Sequence, residues 1–320
     1  MKILFVIDNV EFKYFEFNRL VTSFWLIKEF ICRGCELSIT TKDRLYLDKN
    51  RPMAMTYGVE FKNDDLVMSE KFGYADLNTF QTVFFRPDPP VDINYINATY
   101  ILDYVDPEKT LVLNRPSGIR SANEKIYINN FPSIVPDNIV TSDSSLIKDF
   151  LHRHGEIIIK PLNRCFSSGV FYLNTEDKNI STIIASSTNS GTTAVMVQKF
   201  IKAIEHGDKR LIFINGEIFP ECVVKTHGED DFKFNTHSDK FFKEGILSEK
   251  EKSIASVIAP RMLEDGLFIA GLDVIDGTVI EINVTSPCFF IKEINHFTGG
   301  YLEKKIVDKL EQLMLSYHGK

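Results

Sequence analysis

The chain opens on an apolar run, Ile3-Leu-Phe-Val-Ile7, closed by Asp8, and reads as a buried first strand over residues 2–8. Apolar residues at helical spacing then predict a helix over about 18–33, followed by strands over 35–41, 80–86 and 111–114. Strands alternating with helices argue for a parallel sheet covered by helices, a Rossmann-like α/β arrangement. From about residue 123 the texture changes. Asn123-Glu-Lys-Ile-Tyr127 is expected to open a helix, and a second helix closes over Asp149–His154. Buried strands are expected at 156–162, 194–201 and 208–216, the last running into a turn. Residues 226–252 are charged and turn-prone and read as a loop, and a final helix spans about 299–317.

Gly271-Leu-Asp-Val-Ile-Asp-Gly-Thr-Val-Ile-Glu-Ile-Asn283 reads as a β-hairpin that carries two carboxylates and an amide inside apolar strands. Strand residues two apart share a face, so Glu281 and Asn283 do. A two-residue turn at Asp276-Gly277 would pair Asp273 with Ile280 and put Glu281 on the other face. A three-residue loop over 276–278 pairs Asp273 with Glu281, Leu272 with Ile282 and Val274 with Ile280, which separates an acidic from an apolar face. The second register is the one expected. Oxygen donors from Asp273, Glu281 and Asn283 suit a hard cation such as Mg²⁺ that leans on substrate phosphates. The bland alternative, carboxylates facing solvent, fits poorly with strands this apolar, because buried carboxylates need partners.

Composition narrows the field further. The chain has 320 residues, long enough for two or three domains, and its net charge of −7 argues against nucleic acid or an anionic membrane as main partner. No apolar run is long enough to cross a bilayer, and the N-terminus lacks signal-peptide character. Five scattered cysteines suggest reduced thiols and a cytoplasmic location. Cys32-Arg-Gly-Cys35 has no second ligand pair nearby and reads as small packed residues at a helix end. Arg86, in Arg86-Pro-Asp-Pro-Pro90, directly follows a strand. That position suits an anionic substrate, and equally a solvated loop arginine.

In order along the chain, Arg86-Pro-Asp-Pro-Pro90, Ala98–Leu102, Asn114-Arg-Pro116, Asn123-Glu-Lys125, Ile159-Lys-Pro-Leu162, Gly207-Asp-Lys-Arg210, Gly271-Leu-Asp273 and Glu281–Pro287 resemble bacterial glutathione synthetase. That family belongs to the ATP-grasp ligases, and the resemblance covers nearly the whole chain. It implies an ATP-grasp fold with an N-terminal substrate-side domain (1–122), a central lid subdomain (123–200) and a C-terminal domain with the metal site (201–320). It further implies Lys125 and Lys160 on ATP phosphates, and Gln198, Lys199, Phe200 and Ile201 around adenine. Asp273, Glu281 and Asn283 become ligands of Mg²⁺, with Mn²⁺ an alternative. Arg210 stands beside the acyl phosphate with Asp208 orienting it, and Arg86, Lys233, Asn235 and Ser286 meet substrate. The implied reaction is ATP-dependent joining of γ-glutamylcysteine and glycine by a homo-oligomer, tetramer or dimer.

Two loops depart from that pattern. Asn163-Arg-Cys-Phe-Ser-Ser-Gly169 replaces a glycine-rich run that closes over phosphates, so Arg164 would contact phosphate by side chain, or the lid would close less well. Lys233-Phe-Asn235 keeps a cation and an amide where the family has Arg-x-Asn, and the following Gly-Gly-Arg is absent. Cys288 and Lys292 also stand where threonine and arginine are usual. These changes leave two further readings open: a paralogue forming another peptide or amide bond, and a nucleotide-binding protein with weakened catalysis.

Overall fold

The computed structural model describes residues 1–9, 20–164, 168–226 and 241–319. Its first sheet has seven strands: β1 (Lys2–Ile7), β2 (Glu36–Thr41), β3 (Leu45–Asp48), β4 (Arg51–Lys62), β5 (Asp65–Asp76), β6 (Thr82–Phe85) and β7 (Leu111–Leu113). The run β2-β1-β6-β7 is parallel, as the alternation predicts. β3, β4 and β5 join it antiparallel, which makes the sheet mixed and corrects the expectation of a purely parallel one. β5 gave no periodic signal because Ser69–Tyr74 is exposed throughout. β1 is buried on both sides: Leu4 and Val6 enter one core, and Ile3, Phe5 and Ile7 enter another.

The helix Thr22–Cys32 packs beside β1 and ends where Gly34 turns to φ +80°. Cys35 N–H reaches the Phe30 carbonyl and Gly34 N–H the Ile31 carbonyl, the paired bonds of a Schellman ending. Cys32 and Cys35 do lie at that helix end, but only Cys35 is partly packed; Cys32 is exposed, which corrects the expectation of two packed residues. At Asn123 the expected helix gives way to a single 3-10 turn, Tyr127–Asn130. The Asn123 carboxamide accepts from the Lys125 and Ile126 N–H groups (3.1 Å each), and Pro132 follows too soon for a longer helix.

The second sheet is antiparallel, in the order β10-β9-β11-β8, from β8 (Asn138–Thr141), β9 (Glu156–Pro161), β10 (Phe171–Asn174) and β11 (Val195–Lys199). Ile157, Ile159, Val195 and Val197 close a small core of their own with the helix Ser144–His154. Alternation then turns Ile158, Lys160 and Gln198 to the opposite face, toward a cavity.

The third sheet runs β15-β14-β12-β16-β17, with β13 (Glu217–Ile218) on β12. Its other strands are β12 (Asp208–Ile214), β14 (Cys222–Lys225), β15 (Phe242–Gly245), β16 (Ile269–Ile275) and β17 (Thr278–Asn283). The loop expected over 226–252 is shorter than that: β15 lies inside it, and the helix Glu249–Glu264 begins there behind a Ser248/Glu251 capping box. The final helical region is two helices, Ile291–Thr298 and Leu302–His318. Ile306, Val307, Leu310 and Met314 of the last helix share one core with Ile3 and Phe5 of β1 and Ile212 and Ile214 of β12. Burying each such side chain stabilises the fold by about 1.5–3 kcal/mol, so this helix joins the first sheet to the third.

Candidate active site

The hairpin turns on two residues, Asp276 (φ +46°) and Gly277 (φ +69°), since Ile275 pairs with Thr278. Asp-Gly suits a turn with both central residues at positive φ. The three-residue loop expected from the pattern is therefore wrong, and Val274 pairs with Val279, not Ile280. A register shift between Asp273 and Val274 then restores the pairing of Asp273 with Glu281 and of Leu272 with Ile282. The extra residue of this bulge is Ile280, whose carbonyl accepts from the Gln198 side chain (3.3 Å) and so ties the hairpin to the second sheet.

Across the third sheet the polar residues form a row. Arg210 on β12 lies opposite Asp273 on β16, which lies opposite Glu281 on β17. Arg210 grips Asp273 in a two-pronged pair, Nε to Oδ1 at 2.8 Å and Nη2 to Oδ2 at 2.9 Å. Lys225 Nζ lies 2.7 Å from Asp273 Oδ1 and 2.5 Å from Asp208 Oδ2. Asn283 Nδ2 donates to Asp273 Oδ2 at 3.2 Å. Burial alone would raise the Asp273 pKa, yet Arg210 and Lys225 outweigh it and hold the carboxyl well below its usual range. For Asp208 burial wins over Lys225, and its pKa lies above the ordinary value. Gly271 lacks a side chain for good reason: a Cβ there would lie 2.9 Å from Pro287 Cβ and 3.1 Å from Arg210 Cδ.

Two lysines face this row. Lys125 Nζ sits 3.2 Å from Glu281 Oε1 and donates to the Arg164 carbonyl at 2.8 Å. Lys160, buried on β9, has its pKa lowered by desolvation, which the charge of Glu281 offsets only in part. A cavity of about 520 Å³ lies between the sheets. It is lined by Lys125, Lys160, Gln198, Lys199, Phe200, Ile201, Arg210, Asp273, Glu281, Asn283, Arg86 and Ser286. Every described residue given a site role from the sequence thus lines one cavity, whereas Lys292 does not line it. Lys233 and Asn235 lie outside the described residues, as does Cys165.

Arg86 is not solvated: it is buried, and its Nε donates to Ser23 Oγ (3.2 Å) and Nη2 to the Pro287 carbonyl (3.0 Å). It anchors the 286–288 segment against the first sheet. Two motif residues prove to be staples between distant segments of the chain. Asn114 donates to the Ile269 and Val284 carbonyls and accepts from Ile269 N–H. Glu124, buried, accepts from the N–H groups of Val284 and Thr285 and from the Thr285 hydroxyl. Sequence reasoning missed Lys225 and Asp88. Lys225 ends an apolar strand with no charge pattern around it, whereas Asp88 stood in view beside Arg86 without a role.

Comparison with known proteins places this architecture. D-cycloserine synthetase superposes with a TM-score of 0.68 over 98% of this chain and 100% of its own, at 16% identity, which speaks for a shared fold. The fold and family together define an ATP-dependent carboxylate–amine ligase of the ATP-grasp class. Residues 1–120 match the prokaryotic glutathione synthetase N-terminal domain, and residues 124–299 match its ATP-grasp domain. The chain belongs to the prokaryotic glutathione synthetase family. A glutathione synthetase of Vibrio parahaemolyticus is 35% identical over 91% of this chain and 92% of its own length. One from Thermosynechococcus vestitus is 39% identical over 73% of each chain. Ligases of this kind use ATP together with a divalent cation.

Proposed function

We propose that this protein joins γ-glutamylcysteine to glycine at the expense of ATP, releasing ADP and phosphate, in a cytoplasmic homo-oligomer. The observation that carries the reading is the row Arg210–Asp273–Glu281 facing Lys125 and Lys160 across one cavity. In it, cations for phosphates and oxygen donors for a divalent ion stand within reach of each other. The reading keeps three functional units, 1–122, 123–200 and 201–320: the second and third contribute sheet residues to the cavity wall, and the first contributes Leu20–Thr22 and the Arg86–Pro89 loop.

The cysteinyl carboxylate attacks the γ-phosphorus of ATP, and ADP leaves. The amine of glycine then attacks the acyl carbon and loses a proton, and phosphate departs as the amide forms. Little covalent chemistry falls to the protein; positioning and charge neutralisation supply most of the rate. Lys125 and Lys160 neutralise the phosphates, and the second-sheet strand at Gln198–Ile201 holds adenine. Arg210 faces the acyl phosphate, held in place by Asp273, while Arg86 positions the Ser286 loop against the dipeptide. Asp273, Glu281 and the Asn283 amide would hold Mg²⁺, with Mn²⁺ a substitute. Such a sparse oxygen set suits an ion whose shell is completed by phosphates, and the ion, when bound, screens their charge from the incoming carboxylate. Lys233 and Asn235 complete the substrate contacts in this reading.

A second reading, a ligase for another carboxylate and amine, draws on Arg164 and Cys288, which line the cavity where the family carries glycine and threonine. Phosphate release by the purified protein with ATP and Mg²⁺ separates the two. Release with γ-glutamylcysteine plus glycine supports the first; release only with another pair from a panel of dipeptides and amines supports the second.

A further inference from the structure

Six carboxylates line the cavity: Asp88, Glu124, Asp208, Asp273, Glu281 and Glu293. Most are already matched. Asp273 has Arg210 and Lys225, Asp208 has Lys225, and Glu281 has Lys125. Glu124 is satisfied by three donors from Val284 and Thr285, and Glu293 is engaged as well. Asp88 differs. Its hydrogen-bond partner is the Ser286 hydroxyl, and among the described residues no ion pair reaches it.

Asp88 follows β6 at the carboxyl end of the parallel strands, where open α/β sheets collect ligands. Burial pushes its carboxyl up; Ser286 counters that, the nearby charge of Asp8 adds to it, and Arg86 and Lys42 offset it only in part. Asp88 is half-buried and lines the cavity together with Ser286; a carboxylate so placed and short of a cation is costly unless a cation is supplied. The donor dipeptide carries one: γ-linkage leaves the glutamyl α-amine free and protonated. An ammonium has three hydrogens to give, and the Asp88 carboxylate and Ser286 oxygen stand side by side to accept them.

We propose that Asp88, with Ser286 beside it, forms the subsite for the α-ammonium of the γ-glutamyl group and selects donors that bear a free amine. This rests on the reading of the donor as γ-glutamylcysteine. Titration calorimetry in the presence of Mg²⁺ and a non-hydrolysable ATP analogue tests it, comparing γ-glutamylcysteine with glutarylcysteine, which lacks only the amine. The wild-type chain is expected to prefer the amine-bearing dipeptide by about 10- to 100-fold, the range for a hydrogen-bonded charge. D88N is expected to lose that preference while its affinity for the ATP analogue stays within about twofold. A preference retained in D88N overturns the Asp88 assignment and leaves the reaction as proposed. Failure of the wild-type chain to bind γ-glutamylcysteine overturns the donor reading and this subsite with it. Should D88N fail to bind the ATP analogue, D88S is read against the same ratio.

Discussion

Asp273 and Glu281 are paired across one hairpin yet differ in how the protein holds them. Asp273 is buried among Arg210, Lys225 and Asn283, whereas the Glu281 side chain is 18% exposed and shares Lys125. Glu281→Gln is therefore expected to lower kcat by about 10²–10³-fold or more and leave the melting temperature nearly unchanged. Substantial remaining turnover would contradict the metal role. Asp273→Asn is expected to remove activity and also to destabilise by about 3–5 kcal/mol in denaturant unfolding, because two cations lose their buried counter-charge. Since the folded Asp273 pKa lies below the ordinary 3.8, its contribution is complete above that value and declines as pH falls below it. The Asn variant should accordingly show a flatter acid limb of stability against pH. Lys160 gives the opposite dependence on the alkaline side. Its pKa is below the ordinary 10.5, so its charge is lost early as pH rises, and ATP affinity should weaken there. Lys160→Arg, whose charge persists, should lack that decline in an ATP-binding titration from neutral to alkaline pH.

At the scale of elements, the hairpin was legible in its chemistry and misread in its turn. Segregation of polar and apolar residues identified the partner of Asp273, because a one-residue slip would move every side chain to the wrong face. The same end was reached by a tight Asp276-Gly277 turn and a bulge at Ile280. Bulges are set by neighbours, here Gln198 from another sheet, and no local pattern announces them. Part of β5 was unreadable for a related reason: Ser69–Tyr74 is exposed on both faces and so has no alternation. Lys225 was missed because its partners, Asp208 and Asp273, are distant in sequence and meet only through sheet register. The narrow fit at Gly271 yields a prediction at this scale. Gly271→Val should press on Pro287 and Arg210, cost about 1–3 kcal/mol in denaturant unfolding, and reduce turnover by moving the guanidinium off Asp273.

For the whole molecule, the sharing of cores decides what moves together. The first and third sheets meet in one core through the helix Leu302–His318, whereas the second sheet closes most of its own. Leu310→Ala is expected to cost about 2–5 kcal/mol and to reduce amide hydrogen-exchange protection in β1 and β12 alike. Exchange in β9 and β11 should respond less; equal loss in all three sheets would contradict this division. The α/β class was clear from the alternation of strands and helices. The division into cores was hidden, because it depends on which face of β1, β12 and the last helix each residue takes. Oxygen transfer offers the most direct test of the central claim that the cavity activates a carboxylate by phosphorylating it. With the cysteinyl carboxyl of γ-glutamylcysteine labelled with ¹⁸O, one labelled oxygen should appear in phosphate for each amide formed with glycine, read by mass spectrometry. Amide formation with unlabelled phosphate would contradict the acyl-phosphate account.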